Sequence, residues 1–463
     1  MKISFHGAAQ GVTGSCHMLD VAGKKVLIDC GLFQGGREIE EENHAAFGFN
    51  PAEIDFVLLT HAHLDHCGRL PLLVKQGFTG EIITTAATRE LSRIILLDSA
   101  GLNEQEAKWR NRKLLRAGRA EELIEALYST DDALHALDYF GRSANYDQPI
   151  QIAEGIRATY IDAGHILGSA SIIIELDENS KQLSILFSGD LGSQGHAIIR
   201  DPTMPPKVDV VVMETTYGDR QHKQLLPSID ELFEAVTDTF KRGGNVIIPT
   251  FALERAQELL YYLRQGMDHQ RMPRGTHVFL DSPMAISATE IFNRHPECYD
   301  REAQEYFRGK NDPFNFPGLH FTRETAESMA LNQISSGAII MAGSGMCTGG
   351  RIRHHLKRNI WRSESSIVFV GYAAPRTLAR RIVDGAKTVK IFGEEFAVRA
   401  KIHTIGGFSA HAGQNELLEW YNAVGNHNRT FLVHGEPKSM QTFSDLLKNS
   451  EVIMPEMDAE YEL

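Results

Sequence analysis

A chain of 463 residues is long enough for two or three domains with full-sized cores, which excludes a peptide or a disordered tail. Its 23% charged and 42% hydrophobic residues lie near the globular average, so neither disorder nor a fibrous repeat is supported. Sixty Asp and Glu against 47 Lys and Arg give a net charge of −13, which argues against a general polyanion binder and leaves room for a local basic cleft. No run approaches the ~18 apolar residues needed to cross a bilayer, and Gln10, His17, Asp20, Lys24 and Lys25 interrupt any leader-like stretch, so export is not expected. The scattered cysteines Cys16, Cys30, Cys67, Cys298 and Cys347 offer neither a disulfide framework nor a Cys-x-x-Cys zinc site, and a reduced cytoplasm is expected.

In chain order, Lys2 to Phe5, Cys16 to Val21, Lys25 to Asp29 and Ile54 to Thr60 are short apolar runs between Gly-rich turns and predict strands of one sheet layer. Helical periodicity at Arg69 to Gln76 and Thr88 to Ala100 predicts helices that cover them. Residues 103 to 140, with no Pro and only Gly118, predict a helical excursion carrying Lys108, Arg110, Arg112, Lys113, Arg116 and Arg119, with Trp109 placed to stack. Strands resume at Ile156 to Ile161, Ala170 to Leu176 and Leu183 to Ser188. The break Asp201-Pro202-Thr203-Met204-Pro205-Pro206 predicts a domain boundary, because prolines cannot continue a helix or a sheet ladder. From Val208 to Met213 onward, strands alternate with helices as far as Ile367 to Gly371, the order of a parallel sheet wound with helices. Strand-like alternation with histidines returns around Ala397 to Ile405.

The sharpest chemical signal is Thr60-His61-Ala62-His63-Leu64-Asp65-His66, directly after an apolar strand. In an extended segment His61 and His63 point the same way, and Asp65 and His66 can turn back over a neighbouring position, so one loop can serve two adjacent metals. Imidazole and carboxylate without thiolate suit zinc, manganese or iron. Further ligands must come from other strand ends, where Gly164-His165 and Gly189-Asp190 stand in Gly-flanked turns, although alone each is more often a satisfied turn residue. Asp29 ends another strand and could accept the free N–H of a ligand histidine.

Asp29, His61-x-His63-x-Asp65-His66, His165 and Asp190 resemble the sequential motifs of the metallo-β-lactamase fold. Val210 to Gly218 with Glu214, Gly406 to Ala412 with His411, and Phe431 to Pro437 with His434 resemble motifs A, B and C of the β-CASP nucleases, nearly end to end and in order. The match is nearest to bacterial and archaeal relatives of the nuclease subunit of the cleavage and polyadenylation specificity factor. Gly413 departs from it, standing where the family commonly shows Asp, and Ala373-Ala374-Pro375-Arg376 replaces a Gln-Ala-Glu-Gly run. The resemblance implies an α/β chain, a metallo-β-lactamase αβ/βα sandwich of residues 1–206 and 396–463 with an inserted α/β β-CASP domain of residues 207–395.

It also implies two zinc ions, one held by His61, His63, His165 and Asp190, the other by Asp65, His66, Asp190 and His434. They would activate water against phosphodiesters of single-stranded RNA. His411 would be the general acid oriented by Glu214, and Asp65 would serve among both catalytic and ligand groups. Ser344, Gly345, Thr348, Gly349 and Arg351 lie in a Gly-rich segment after an expected strand, where backbone N–H groups can cradle a phosphate; the bland reading is a tight turn. Two alternatives stay open: a metallohydrolase of small esters or thioesters, and a metal-bearing scaffold of an RNA-processing complex. No membrane partner is expected, and a homodimer is among the assemblies the sequence allows.

Overall fold

The computed structural model describes residues 1–308, 312–371, 373–448 and 450–463. The chain divides into two compact units, Met1–Gln194 with Asp201–Gln221 and His411–Leu463, and Gly195–Arg200 with His222–Ala410.

Alternation of apolar side chains builds the first unit. In the strand Val210–Glu214, Val210 and Val212 join a core with Phe5, Ile28, Ile172, Phe187 and Phe431, whereas Val211 and Met213 join Leu417, Trp420, Tyr421 and Phe443. A strand buried on both faces requires a layer on each side. One layer is a facing sheet, and the other is the helices Gln414–Val424 and Pro437–Ser444. The first sheet has seven strands in the order Glu460–Glu462, Lys2–Phe5, His17–Val21, Lys24–Ile28, Phe56–Leu58, Glu81–Thr85, Phe140–Ala144, antiparallel up to Lys24–Ile28 and parallel beyond. The second, also of seven, runs Glu451–Ile453, Arg429–Val433, Val210–Glu214, Lys181–Phe187, Ala170–Glu178, Ile156–Asp162, Ile150–Ala153, parallel through its first four strands and antiparallel in the rest. The 31-residue helix Ala86–Arg116 packs Leu91, Ile95 and Leu96 beside the first sheet. The result is the αβ/βα sandwich that the motifs imply.

The second unit has a six-stranded, wholly parallel sheet in the order Leu319–Phe321, His277–Leu280, Ala338–Ala342, Val246–Pro249, Ser366–Val370, Lys401–Ile405. Ile247, Ile340, Ile367, Leu356, Ile360 and Ile382 share its core.

The boundaries differ from those expected at 206/207 and 395/396. Val210–Glu214 opens no new sheet; it pairs in parallel with Lys181–Phe187 and Arg429–Val433, so the Pro-rich segment joins two neighbouring strands of one sheet. Lys401–Ile405 lies at the edge of the second unit's sheet, paired with Ser366–Val370, and the chain rejoins the first unit at His411. The expected all-helical excursion 103–140 also breaks up: the long helix ends at Arg116, Thr130–Leu137 forms a short helix, and Phe140–Ala144 starts an edge strand. Among the described residues no helix is long and apolar enough to cross a membrane.

Candidate metal centre and acid pair

Every predicted metal ligand belongs to the first unit, and the strand ends gather them. The strand Phe56–Leu58 stops before Thr60, and His63 then caps the short helix Leu64–Cys67, whose first turn aims Asp65 and His66 back over the same point. A neighbouring turn must pass very close for this to fit. A Cβ on Gly31 would stand 1.6 Å from the Asp65 carbonyl oxygen, so only glycine is tolerated there. On the second sheet, Gly192 meets the Gly164 carbonyl oxygen in the same manner, at 1.7 Å from the position of a Cβ, and this brings the His165 turn against the Asp190 turn. Ser169 Oγ accepts the N–H groups of His165 and Ile166 at 3.0 and 3.2 Å and fixes the His165 turn.

The donor atoms form three groups, the third of which, Asp190, Glu214 and His434, overlaps both of the others. His61, His63, His165 and Asp190 have ligand atoms within 4.8 Å of one another, and so do Asp65, His66 and His434. Asp190 links them, with Oδ2 3.5 Å from His61 Nε2 and 3.6 Å from His165 Nε2, and Oδ1 3.3 Å from His66 Nε2 and 3.5 Å from His434 Nδ1. His434 Nε2 lies 3.5 Å from Asp65 Oδ2.

Oxygen acceptors behind the rings set the tautomers. Asp29 Oδ2 accepts from His66 Nδ1 at 2.7 Å and from Thr60 Oγ1 at 2.9 Å; Thr60 Oγ1 in turn accepts from His61 Nδ1 at 3.0 Å. Thr216 Oγ1 donates to the His434 carbonyl oxygen and accepts from His434 Nδ1, both at 3.1 Å. Each bond leaves an Nε2 lone pair directed into the site, the arrangement of a metal-ligating imidazole. Thr60 and Thr216 were not singled out by sequence reasoning, although each stands beside a motif residue.

Three observations fit this donor set to cations. His61 Nε2 and His165 Nε2 both approach His63 Nδ1 at 3.1 Å, and His66 Nε2 approaches His434 Nε2 at 3.2 Å, so ring nitrogens converge without an acceptor oxygen between them. Buried Asp190 Oδ1 faces the ring nitrogens of His66 and His434 at 3.3 and 3.5 Å and meets no other donor among the described residues. Burial holds His61 well below the usual imidazole range and His63 down at about 4, so both are in the neutral, ligating form near pH 7. Although burial opposes it, the carboxylates of Asp190 and Asp29 pull His66 well above that range.

Beside this centre stands a second pair. Glu214, wholly buried at the end of Val210–Glu214, accepts from Leu191 N at 2.6 Å through Oε1 and from Thr216 N at 3.2 Å through Oε2. His411 Nδ1 lies 3.3 Å from the same Oε1, and His411 Nε2 lies 3.9 Å from Asp190 Oδ2. Burial works against charge on His411, yet Glu214 and Asp190 push it up to about 9.

The remaining predicted residues lie in the second unit, on the loop after Ala338–Ala342. Ser344 and Gly349 close this loop on itself: Ser344 N donates to the Gly349 carbonyl oxygen at 3.3 Å, and Gly349 N to Ser344 Oγ at 3.4 Å, where Thr348 Oγ1 also lies at 3.4 Å. Gly345 runs beneath the Phe251 ring. Arg351 is turned inward, donating to Asp281 Oδ1 at 2.8 Å and to the carbonyl oxygens of Thr322 and Arg323 at 2.9 and 2.6 Å, and so acts as a strut of the loop.

Fold and site together define a metal-dependent hydrolase. Family models match along the chain in sequence: the metallo-beta-lactamase superfamily over residues 9–240, the Beta-Casp domain over 256–382, and a Zn-dependent metallo-hydrolase RNA specificity domain over 395–455. The chain belongs to the β-CASP family of metallo-β-lactamase-fold nucleases. It is 39% identical over 447 residues to Ribonuclease TTHA0252 of Thermus thermophilus, with 96% of each chain covered. In Methanocaldococcus jannaschii it is 28% identical over 460 residues to the Transcription termination factor FttA, covering 97% of this chain and 69% of that one. An RNase J-like protein of the same organism is 28% identical over 445 residues, with 96% and 94% covered. A crystal structure of a protein of unknown function from Enterococcus faecalis V583 shares the fold, with a TM-score of 0.55, 13% identity, and coverage of 100% of this chain and 99% of that one.

Proposed function

We propose that the chain is a zinc-dependent ribonuclease that hydrolyses phosphodiester bonds of single-stranded RNA, with His61, His63, His165 and Asp190 holding one zinc ion and Asp65, His66, Asp190 and His434 the other. The supporting observation is the shared carboxylate: Asp190 reaches both donor groups through different oxygens, with the His411–Glu214 pair on its flank. When bound, such ions supply Lewis acidity toward water and toward the phosphate oxygens.

The chain's own residues do the rest. Glu214 is held as an acceptor by two backbone N–H groups, so the proton of its contact with His411 sits on Nδ1. That leaves Nε2–H of a charged His411 to protonate the leaving 3′ oxygen, and Glu214 keeps the ring oriented and charged. Asp29 and Thr216 hold His66 and His434 in the ring orientation that ligation requires. A small-ester hydrolase has no use for a proton donor held this way at a poor leaving group, and a scaffold has no use for an intact ligand set.

The test is to incubate zinc-loaded protein with end-labelled single-stranded RNA, the matching DNA and an acyl-thioester. Cleavage of the RNA in preference to the other two is expected. Thioester turnover with intact RNA would refute the reading.

A further inference from the structure

The helix Ala86–Arg116 does more than cover a sheet. Its N-terminus adjoins the His165 turn, where Thr85 Oγ1 and Thr88 Oγ1 both donate to the Gly168 carbonyl oxygen at 2.7 and 2.8 Å. Its C-terminal half runs outward and carries an unusual surface. From Ala107 to Arg119 there are six cations, Lys108, Arg110, Arg112, Lys113, Arg116 and Arg119, and no acid, in a chain whose net charge is −13. Lys108, Arg110 and Arg119 pair with Glu104, Glu106 and Glu122; Arg112, Lys113 and Arg116 form no ion pair among the described residues. Those three share one helix face with Trp109, at spacings of three, four and seven residues. Trp109 is 55% exposed, and Lys113 Nζ lies 3.5 Å from its ring centroid. An indole ring face is poorly hydrated, and three cations with no ion-pair partner among the described residues, one of them resting on that ring, suit a ligand that is both anionic and aromatic.

We infer that the stripe Trp109, Arg112, Lys113 and Arg116 is an accessory surface for single-stranded RNA, on which a base stacks while neighbouring phosphates meet the three cations. The inference rests on the ribonuclease reading for its choice of ligand. At 1.5 Å per residue, Trp109 lies roughly 35 Å along the helix from Ala86. At about 3.4 Å per stacked nucleotide, roughly ten nucleotides span that length, so the surface serves long RNA and is beyond the reach of a tetranucleotide.

The experiment compares wild type with Trp109→Ala and with the triple variant Arg112→Glu, Lys113→Glu, Arg116→Glu. All four side chains are exposed, and a thermal melt confirms that the fold is unchanged. Binding of a fluorescein-labelled 30-nucleotide RNA is read in zinc and again in EDTA, so that a chain unable to cleave still reports. The triple variant should weaken 30-mer binding at least tenfold and reduce the salt slope by about 2, whereas turnover of a tetranucleotide stays as in wild type. Trp109→Ala should weaken RNA binding roughly tenfold and leave inorganic polyphosphate binding unchanged, since polyphosphate has no base to stack. Unaltered 30-mer affinity in both variants would overturn the inference while leaving RNA cleavage by wild type, and hence the ribonuclease reading, intact. RNA bound through the stripe by a wild type that cleaves none would do the reverse. Equal loss of RNA and polyphosphate in Trp109→Ala would remove the stacking role, and preference for anionic lipid vesicles over RNA would assign the stripe to a different ligand and overturn the inference.

Discussion

Replacing His411 by Ala and Glu214 by Gln separates proton donation from metal holding. A positioned general acid contributes about 10²- to 10⁴-fold, or roughly 3 to 5 kcal/mol of barrier at 1.36 kcal/mol per decade. His411→Ala should therefore lower single-turnover RNA cleavage by that factor. Neither donor group needs His411 to close, and the backbone bonds that place it, Ser193 Oγ to the His411 carbonyl oxygen at 2.7 Å and Ala412 N to the Leu191 carbonyl oxygen at 2.8 Å, survive truncation. Both zinc ions should remain.

Glu214→Gln is milder for a countable reason. Three donors, Leu191 N, Thr216 N and His411 Nδ1, converge on the two carboxylate oxygens, and an amide has one oxygen. With that oxygen in the Oε1 position, Leu191 and His411 keep their acceptor and only Thr216 faces an NH₂ group. The ring stays oriented but loses its counter-charge, and a loss on the order of 10- to 100-fold is expected. A phosphodiester with a nitrophenolate leaving group needs little protonation and should partly rescue both variants. Zinc would be counted by elemental analysis on the same samples. Loss of zinc in His411→Ala, or no rescue by the activated substrate, would refute the assignment.

His63→Ala, which deletes a nitrogen shared by two close neighbours, should abolish activity, take bound zinc well below two equivalents and gain nothing from the nitrophenolate substrate; retention of two ions would contradict the ligand set. Asp29→Asn should leave every ligand in place yet weaken zinc affinity by roughly 10- to 100-fold in a competitive chelator titration, because the amide no longer fixes the His66 ring. In the second unit, burial alone would raise Asp281, but bonds from His355, Ser328, Thr322 and Arg351 bring it down to about 2 against an ordinary 3.8. Its contribution, about 2 kcal/mol, is complete above the unfolded value and lost as pH falls through the folded one. Asp281→Asn should therefore lower stability in urea unfolding at pH 7 and show a smaller difference from wild type near pH 2.

Much of the site was legible because its residues come in tight local clusters. Three histidines and an acid within six positions after an apolar strand have few other uses, and His165 and Asp190 stand in glycine turns whose close approach the structure explains through Gly192 and Gly164. The domain limits were not legible. Val210 to Met213 reads equally well as the first strand of a new sheet or the next strand of the old one, since a strand buried on both faces has the same apolar sequence in either. The pairings with Lys181–Phe187 and with the distant Arg429–Val433 decide between them. Likewise Lys401–Ile405, half-buried and edge-placed, gives no sign of which sheet it extends. At Arg351 one partner was illegible: nothing local announces that Asp281, seventy positions away, holds it.

The departure at Gly413 shows how the chain can change a motif residue and keep its geometry. Gly413 begins the helix Gln414–Val424 with extended backbone at φ −82° and ψ 171°, so it has no side chain to cap the free N–H groups there. Glu416, in the first turn, instead reaches back to the residue before the helix, its Oε2 accepting Gly413 N at 2.7 Å. Its Oε1 accepts Gln194 N at 2.8 Å, which ties the helix start to the residues following Asp190. Together with the bridge between Gly192 and His411 and the bond from Leu191 N to Glu214 Oε1, this joins His411, Glu214 and the turn of Asp190 into one network of backbone and carboxylate hydrogen bonds. The turns that carry His411 and Asp190 are thus tied together by main-chain and side-chain bonds alike.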